Sequence, residues 1–268
     1  MNTTEPIVSV KNVTKKYNEI TAVDDISFDV KKGELFALLG PNGAGKSTTI
    51  GMLTTLLKPT SGTMLLNGFN VAKNQDDVRK SFGIVFQDPS VDIELTADEN
   101  MELHAAFYGL SPKTVAQRIE DLLTLVELWN RRDTLVKHFS GGMKRRLEIA
   151  RGLLHHPHIL FLDEPTLGLD AQTRNLLWEY VKKMNKNEGM TVFFTTHYLE
   201  EAEAVAERIA VMDHGKIIAM GSSQQLKKLT NSSSLEQAYL NLTGKTVRDE
   251  NSGSGEEWRA RHRARNMR

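Results

Sequence analysis

Hydrophobic and polar positions along the chain follow two different periods. In the first ninety residues, apolar side chains alternate with polar ones or form short runs, a pattern typical of strands. We predict strands at 7–10, 26–30, 35–39, 63–66 and 79–87. The Asn67-Gly68 pair after the fourth of these predicts a hairpin turn.

The middle of the chain changes to a helical period. Thr96 and Glu99 have capping-box spacing, and Pro112 is placed for the first turn of a second helix. The apolar residues of that helix recur every three or four positions on one face: Val115, Ile119, Leu122 and Val126. The pattern predicts a helical block over about residues 95–155.

Strands return after this block. Residues 159–162 form a wholly apolar run, as expected for a buried parallel strand, and 191–195 are also strand-like. Asp170 is placed to cap a helix ending near Gly189, and a hairpin is predicted at 213–215. Alternation on both sides of an all-helical insert predicts an α/β layer with a helical subdomain.

We expect residues 1–230 to form one domain, with its sheets in 1–90 and 151–230 and the helical subdomain in 91–150. Residues 231–268 are expected to hold one short helix, ended by Gly244, and then an unstructured basic tail.

Composition narrows the possible chemistry. The 268 residues contain no cysteine, which excludes disulfides, a thiolate nucleophile and thiolate metal sites. Equal numbers of acidic and basic residues, 34 each, argue against general affinity for nucleic acid. The longest apolar run, residues 35–39, is far shorter than the ~20 residues of a spanning helix. No secretory signal is recognised, and a cytosolic location is expected.

A glycine-rich loop follows the strand at 35–39. Its sequence, GPNGAGKS, fits the pattern G-x-x-x-x-G-K-[ST], in which backbone N–H groups and a helix N-terminus cradle phosphates. Lys46 would reach the β- and γ-phosphates, and the Ser47 hydroxyl would coordinate Mg²⁺. The residues expected to contact nucleotide are Gly40, Pro41, Asn42, Gly43, Ala44, Gly45, Lys46, Ser47 and Thr48. The loop alone leaves kinases, GTPases and motor ATPases open.

Two carboxylates end the apolar strand at 159–162. Asp163 would hold the Mg²⁺ shell, and Glu164 would orient and deprotonate an attacking water. This pair favours hydrolysis over transfer to a substrate hydroxyl. The sequence at 185–188, Asn-Lys-Asn-Glu, departs from the guanine-specificity motif in its last acid, which argues against a GTPase.

A second anion site is predicted where Ser140, Gly141 and Gly142 open a helix inside the helical block. With this segment the chain resembles the ATP-binding cassette (ABC) ATPases over about residues 5–222. The resemblance implies a P-loop NTPase (RecA-like) α/β core with an antiparallel β subdomain and an inserted α-helical subdomain.

The resemblance also implies roles for single residues and an assembly. Residues 140–142 would close over ATP held by the other subunit of a head-to-tail dimer, formed with a second copy or a homologous ATPase. Tyr17 would stack on adenine, Gln87 would lie near Mg²⁺ and the attacking water, and His197 would contact the γ-phosphate. Asp170 lies in the Gly-Leu-Asp loop where subunits of the family meet.

The segment around residues 139–154 resembles one branch of the ABC family in particular. Phe139 and Met143 replace the ends of the usual Leu-Ser-Gly-Gly-Gln signature, and FSGGMKRRLEIARGLL resembles the daunorubicin-resistance type of drug exporter. That branch implies a separate membrane permease, a place at the cytoplasmic face of the membrane and drug-like or lipid-like cargo. An importer ATPase and a non-transport cassette ATPase of DNA repair or translation are the alternatives.

Two further segments have ordinary explanations. The His155-His156-Pro157-His158 run is read as a loop and not as a metal site. The last eleven residues hold five arginines, for which a solvated end is expected and contact with anionic lipid is the alternative.

Overall fold

A computed structural model describes residues 5–244, without the side chains of residues 112–114. The strands are β1 (Val8–Tyr17), β2 (Ile20–Val30), β3 (Leu35–Leu39), β4 (Ser61–Leu66), β5 (Phe69–Asn70), β6 (Phe82–Val85), β7 (Ile159–Asp163), β8 (Thr191–Thr196), β9 (Arg208–Asp213) and β10 (Lys216–Gly221). The helices are α1 (Lys46–Leu53), α2 (Gln75–Ser81), α3 (Ala97–Phe107), α4 (Pro112–Leu125), α5 (Gly141–Leu153), α6 (Ala171–Glu188), α7 (Leu199–Val205), α8 (Ser223–Leu229) and α9 (Leu235–Thr243).

The first strands form a four-stranded antiparallel sheet in the order β2-β1-β4-β5. Asn67 and Gly68 both have positive φ angles, 50° and 81°, and join β4 to β5 in the predicted hairpin. This sheet packs on the central sheet through phenylalanine rings. Phe28 stacks on Phe36 with ring centroids 5.6 Å apart, so the two sheets share one apolar layer.

The central sheet has six strands in the order β10-β9-β3-β8-β7-β6. β6, β7, β8, β3 and β9 are mutually parallel, and β10 pairs antiparallel at one edge. Every residue of β3, β7 and β8 is buried, because helices or the other sheet cover both faces. The carboxyl ends of these neighbouring strands therefore meet at one edge of the sheet.

The helix starts follow the predicted caps. Thr96 and Glu99 form a capping box at α3, α4 begins at Pro112, and Ser140 caps α5 by accepting from the Met143 N–H. Asp170 caps α6 by accepting from Thr173, and α6 ends at a left-handed glycine, Gly189. The helices between β6 and β7 occupy residues 97–153, with 3-10 turns at Trp129–Arg131 and Val136–His138.

One sequence expectation fails locally, and one helix lies where none is predicted. Residues 79–87 are not one strand, because Arg79 ends α2 and only Phe82–Val85 form β6. The short α2 has acidic residues in its first turn and basic residues in its last, which suits the helix dipole, but it lacks a wide apolar face. Helix α8 was not predicted, although Ser222 and Gln225 form a capping box at its start.

The predicted short helix is present as α9, while the expected unstructured tail lies outside the described residues. Within residues 5–244, no helix combines the length and apolar character needed to cross a bilayer.

Candidate active site

The glycine-rich loop joins β3 to α1 and depends on its glycines. Gly43 and Gly45 have positive φ angles of 78° and 107°. A Cβ atom at Gly40 would lie 2.3 Å from the Met212 carbonyl oxygen, and one at Gly45 would lie 2.6 Å from that of Ala22. The loop therefore keeps its backbone close to β2 and β9, and α1 begins directly after it.

Lys46 is fixed at the first position of α1. Its ammonium donates to the carbonyl oxygens of Gly40 and Pro41, at 2.8 and 3.1 Å. It also lies 3.1 Å from Glu164 Oε1, and the side chain is only 4% exposed. The loop lysine and the strand-end carboxylate thus form a buried ion pair.

Asp163, at the end of β7, accepts two hydroxyl hydrogen bonds. Ser47 Oγ donates to its Oδ1 at 3.2 Å and Thr195 Oγ1 donates to the same oxygen at 2.6 Å. Burial raises the pKa of Asp163 above its usual value, and the two hydroxyls partly offset the rise. Hydroxyl and carboxylate oxygens are the donors that Mg²⁺ prefers, so Ser47 and Asp163 fit that ion.

Glu164 follows Asp163 in an unusual backbone conformation, with a φ angle of 46°. Its N–H donates to Thr195 Oγ1 at 3.0 Å, which ties it to β8. Its second carboxylate oxygen lies 3.3 Å from Nδ1 of His197, the residue that follows β8. The carboxylate therefore lies between an ammonium and an imidazole.

Gln87 and Tyr17 lie at the ends of two other strands. Gln87 follows β6, which pairs with β7, and its main-chain carbonyl accepts from Arg145 at 2.9 Å. Tyr17 ends β1. Burial raises the pKa of its hydroxyl, and a hydrogen bond with the Thr48 side chain of α1 partly offsets the rise. Tyr17 thus contacts the helix that follows the phosphate loop, whereas Gln87 lies just after the strand that pairs with β7, the strand ending at Asp163.

The remaining predicted residues form a second group, where α5 and α6 begin. Ser140 caps α5, and a Cβ atom at Gly142 would lie 2.5 Å from Thr173 Cγ2. Asp170 accepts from the N–H and hydroxyl of the same Thr173, at 2.9 and 2.8 Å. These hydrogen bonds lower the pKa of Asp170. The predicted site residues therefore fall into two groups, one around Lys46 and one around Thr173.

Sequence reasoning missed the groups that support the first site. Thr195 joins Asp163 to Glu164, and the buried Glu201 of α7 accepts from Thr196 at 3.0 Å and also from Thr166. Two adjacent threonines at the end of an apolar strand, directly before His197, were the available signal.

Within the histidine run His155 is packed, whereas His156 and His158 are exposed. His155 stacks on Tyr108 with ring centroids 3.8 Å apart, and its Nε2 lies 2.9 Å from the Phe82 carbonyl oxygen. Within the described part of the chain, no group of three or more potential metal ligands among His, Cys, Asp and Glu is found.

Phosphate loops with paired carboxylates at the end of another parallel strand of the same sheet occur in P-loop nucleoside-triphosphate hydrolases, and this chain is of that class. Residues 23–167 match the family described as ABC transporter, more than half of the chain. The chain belongs to the ABC transporter family, and its activity is ATP hydrolysis coupled to transport.

Relatives agree with the branch that the sequence indicated. The daunorubicin/doxorubicin resistance ATP-binding protein of Streptomyces peucetius is 43% identical over 228 residues, covering 85% of this chain and 69% of that protein. The Nod factor export ATP-binding protein I of Ralstonia nicotianae is 41% identical over 221 residues, covering 82% and 68%.

Solved structures agree with the fold. An ATP-binding subunit of an ABC transporter is 32% identical with a TM-score of 0.81, covering 89% of this chain and 100% of that one. A dimeric ATP-binding cassette in a post-hydrolysis state, bound to ADP and Pi, is 32% identical with a TM-score of 0.72, covering 80% and 98%. The expected P-loop α/β fold is confirmed.

Proposed function

We propose that this chain is the ATPase subunit of an exporter, working as a head-to-tail dimer around two molecules of Mg-ATP. The division of the site residues into two groups carries this proposal. One group surrounds Lys46, and the other presents a helix start at residues 140–142, which is a ready anion site. Two chains arranged head to tail would complete each site with the second group of the partner.

In the first group each side chain has a definite task. Lys46 and the loop N–H groups bind the β- and γ-phosphates. Ser47 and Asp163, with the Gln87 side chain, would hold Mg²⁺, which supplies positive charge to the phosphate oxygens when bound. Tyr17 would stack on adenine, by analogy with bases that stack on aromatic side chains.

Glu164 acts as the general base that takes a proton from the attacking water. His197 lies 3.3 Å from its carboxylate, where it would hold the carboxylate in position and contact the γ-phosphate. When nucleotide binds, the Lys46 ammonium leaves the Glu164 carboxylate and pairs with phosphate. The Glu164 carboxylate is then available to the attacking water. Ser140, Gly141, Gly142 and Asp170 act on the nucleotide of the partner.

The transport partner is proposed to be a separate integral-membrane permease, with this chain at the cytoplasmic face of the membrane. Export of drug-like or lipid-like cargo is favoured over import, because the relatives described above are named for export and drug resistance. The same relatives disfavour a role in DNA repair or translation. Co-purification of a tagged chain with a multi-span membrane protein would test the partnership.

A Glu164→Gln variant tests the site and the dimer together. We expect it to bind ATP, to accumulate as a dimer by light scattering, and to hydrolyse ATP about 10²- to 10⁴-fold more slowly, the usual loss with a general base. Glu200→Gln, on an exposed position of α7, is the matched control and should behave like the unmodified chain. Near-normal hydrolysis by Glu164→Gln would show that the base is assigned wrongly.

A further inference from the structure

Charged side chains of α5 hold the loop that carries Gln87. The Arg145 guanidinium donates to the carbonyl oxygens of Phe86 and Gln87, the second at 2.9 Å. Glu148 lies one helical turn further on and accepts from the Ser90 N–H at 2.5 Å and from its hydroxyl at 3.1 Å. The loop backbone is thus bound to one face of α5.

Arg151 extends this face by another turn. Its guanidinium donates to the Ser90 carbonyl oxygen at 2.8 Å and also to the Ser90 hydroxyl. We call Arg145, Glu148 and Arg151, with the segment at 86–90, the α5 clamp. Its spacing of three residues keeps all three side chains on one side of the helix.

The core of the clamp is a buried ion pair. Arg145 and Glu148 are 6% and 1% exposed and pair at 3.1 Å. Burial lowers the pKa of Arg145, and the adjacent Glu148 partly offsets the change. Buried ion pairs are often no more stabilising than apolar residues of similar volume, whereas removal of one partner is strongly destabilising. The Arg145–Glu148 pair is therefore better suited to positioning the segment at 86–90 than to stabilising the fold.

The N-terminus of the same helix belongs to the second group of site residues. Gly141 is the first residue of α5 and Ser140 is its cap. From Gly141 to Glu148 the helix rises about 10 Å, two turns of a rigid element. One short helix therefore holds both the Gln87 loop and residues 140–142.

We propose that Arg145 and Glu148 are positioning residues that make the Gln87 loop and residues 140–142 move as one body. The inference rests on the proposed function, in which Gln87 faces the chain's own nucleotide and residues 140–142 face the partner's. A change at one nucleotide site then reaches the other site through α5.

The test combines hydrogen–deuterium exchange of the full chain, with and without Mg-ATP, and steady-state ATPase rates. The variants are Arg145→Lys, Glu148→Gln and Ser90→Ala, the last of which leaves no unpaired buried charge. Arg146→Lys is the control, because Arg146 contacts the Val126 carbonyl oxygen at 2.9 Å and not the Gln87 loop.

Mg-ATP should protect residues 40–48 in every protein. It should change exchange at 140–145 in the unmodified chain and in Arg146→Lys, but much less in the clamp variants. We expect kcat to fall about 10- to 100-fold in Arg145→Lys and Glu148→Gln, as for misplaced groups, with half-saturating ATP little changed. A merely structural role would not weaken the exchange response at 140–145 while it leaves the response at 40–48 intact.

Clamp variants that fold, keep the normal kcat and keep the response at 140–145 would overturn the inference. If Mg-ATP fails to protect 40–48 in the unmodified chain, the proposed nucleotide function is what fails. The clamp is then tested by hydrogen–deuterium exchange without nucleotide. Exchange at both 86–90 and 140–145 should be faster in the clamp variants than in Arg146→Lys. Equal exchange in all of these variants would refute the proposed coupling.

Discussion

Asp163 is a buried carboxylate whose charged form is disfavoured by its surroundings. Because the pKa of Asp163 is raised in the folded state, stability linked to this group is full at low pH and is lost as the pH rises through that pKa. An isosteric amide removes this cost and still accepts hydrogen bonds from Ser47 and Thr195.

We therefore expect Asp163→Asn to raise the free energy of unfolding at pH 7–8 by about 0.5–2 kcal/mol while it lowers Mg²⁺-dependent hydrolysis. The gain should shrink as the pH falls and the unmodified carboxyl group takes up a proton. Urea unfolding at pH 7–8 and at lower pH measures the gain and its decline, and steady-state ATPase rates measure the loss of Mg²⁺-dependent hydrolysis. Asp170→Asn is the control of opposite sign, because the pKa of Asp170 is lowered, and a gain there would contradict the electrostatic argument.

At the scale of residues, the sequence predicted groups that are neighbours in the chain and missed those that depend on strand register. Lys46 with Ser47, and Asp163 with Glu164, are local patterns. The contact of Thr195 with Asp163 exists because these two residues are partners across β7 and β8. Both strands are buried at every position, so no alternation of apolar and polar residues indicates that register.

At the scale of elements, β6 and α5 approach closely through glycines. A Cβ atom at Gly83 would lie 2.0 Å from the Gly152 carbonyl oxygen, a contact with backbone that no rotamer change relieves. A Cβ atom at Gly152 would meet Leu160 at 3.4 Å, an ordinary contact.

Gly83→Ala should therefore cost about 1–3 kcal/mol of stability by overpacking. Gly152→Ala, its matched control on the facing helix, should be neutral or stabilising by up to about 1 kcal/mol from helix propensity. Denaturant midpoints of the two variants give the comparison. Equal midpoints would mean that α5 can move away from β6 without cost.

The elements show where pattern reading succeeds and where it fails. The predicted caps at Thr96 and Ser140 are present, because capping depends on residues three positions apart. Arg145 and Glu148 lie away from the apolar stripe of α5, where a charged helical residue is normally solvated. Their burial depends on a loop that another part of the chain supplies.

At the scale of the whole molecule, nucleotide binding should stabilise the fold. Saturation at about 100 times Kd adds about 2.7 kcal/mol to the free energy of unfolding, because only the folded state has the site. We expect Mg-ATP to raise Tm and Mg²⁺ alone to raise it less. Lys46→Ala should lose most of the ATP-dependent shift, and differential scanning fluorimetry measures it. An unchanged ATP-dependent rise in Tm in Lys46→Ala would show that Lys46 does not bind phosphate.

The order of strands in the central sheet also determines when the nucleotide site can form during synthesis of the chain. β3 lies between β8 and β9, and the loop that follows β3 packs against Met212. A nascent chain exposes the complete phosphate-loop sequence early, yet the neighbours that shape it are made some 150 residues later. The enzyme is thus inactive throughout most of its own synthesis, and ATP binding reports that the domain is nearly complete.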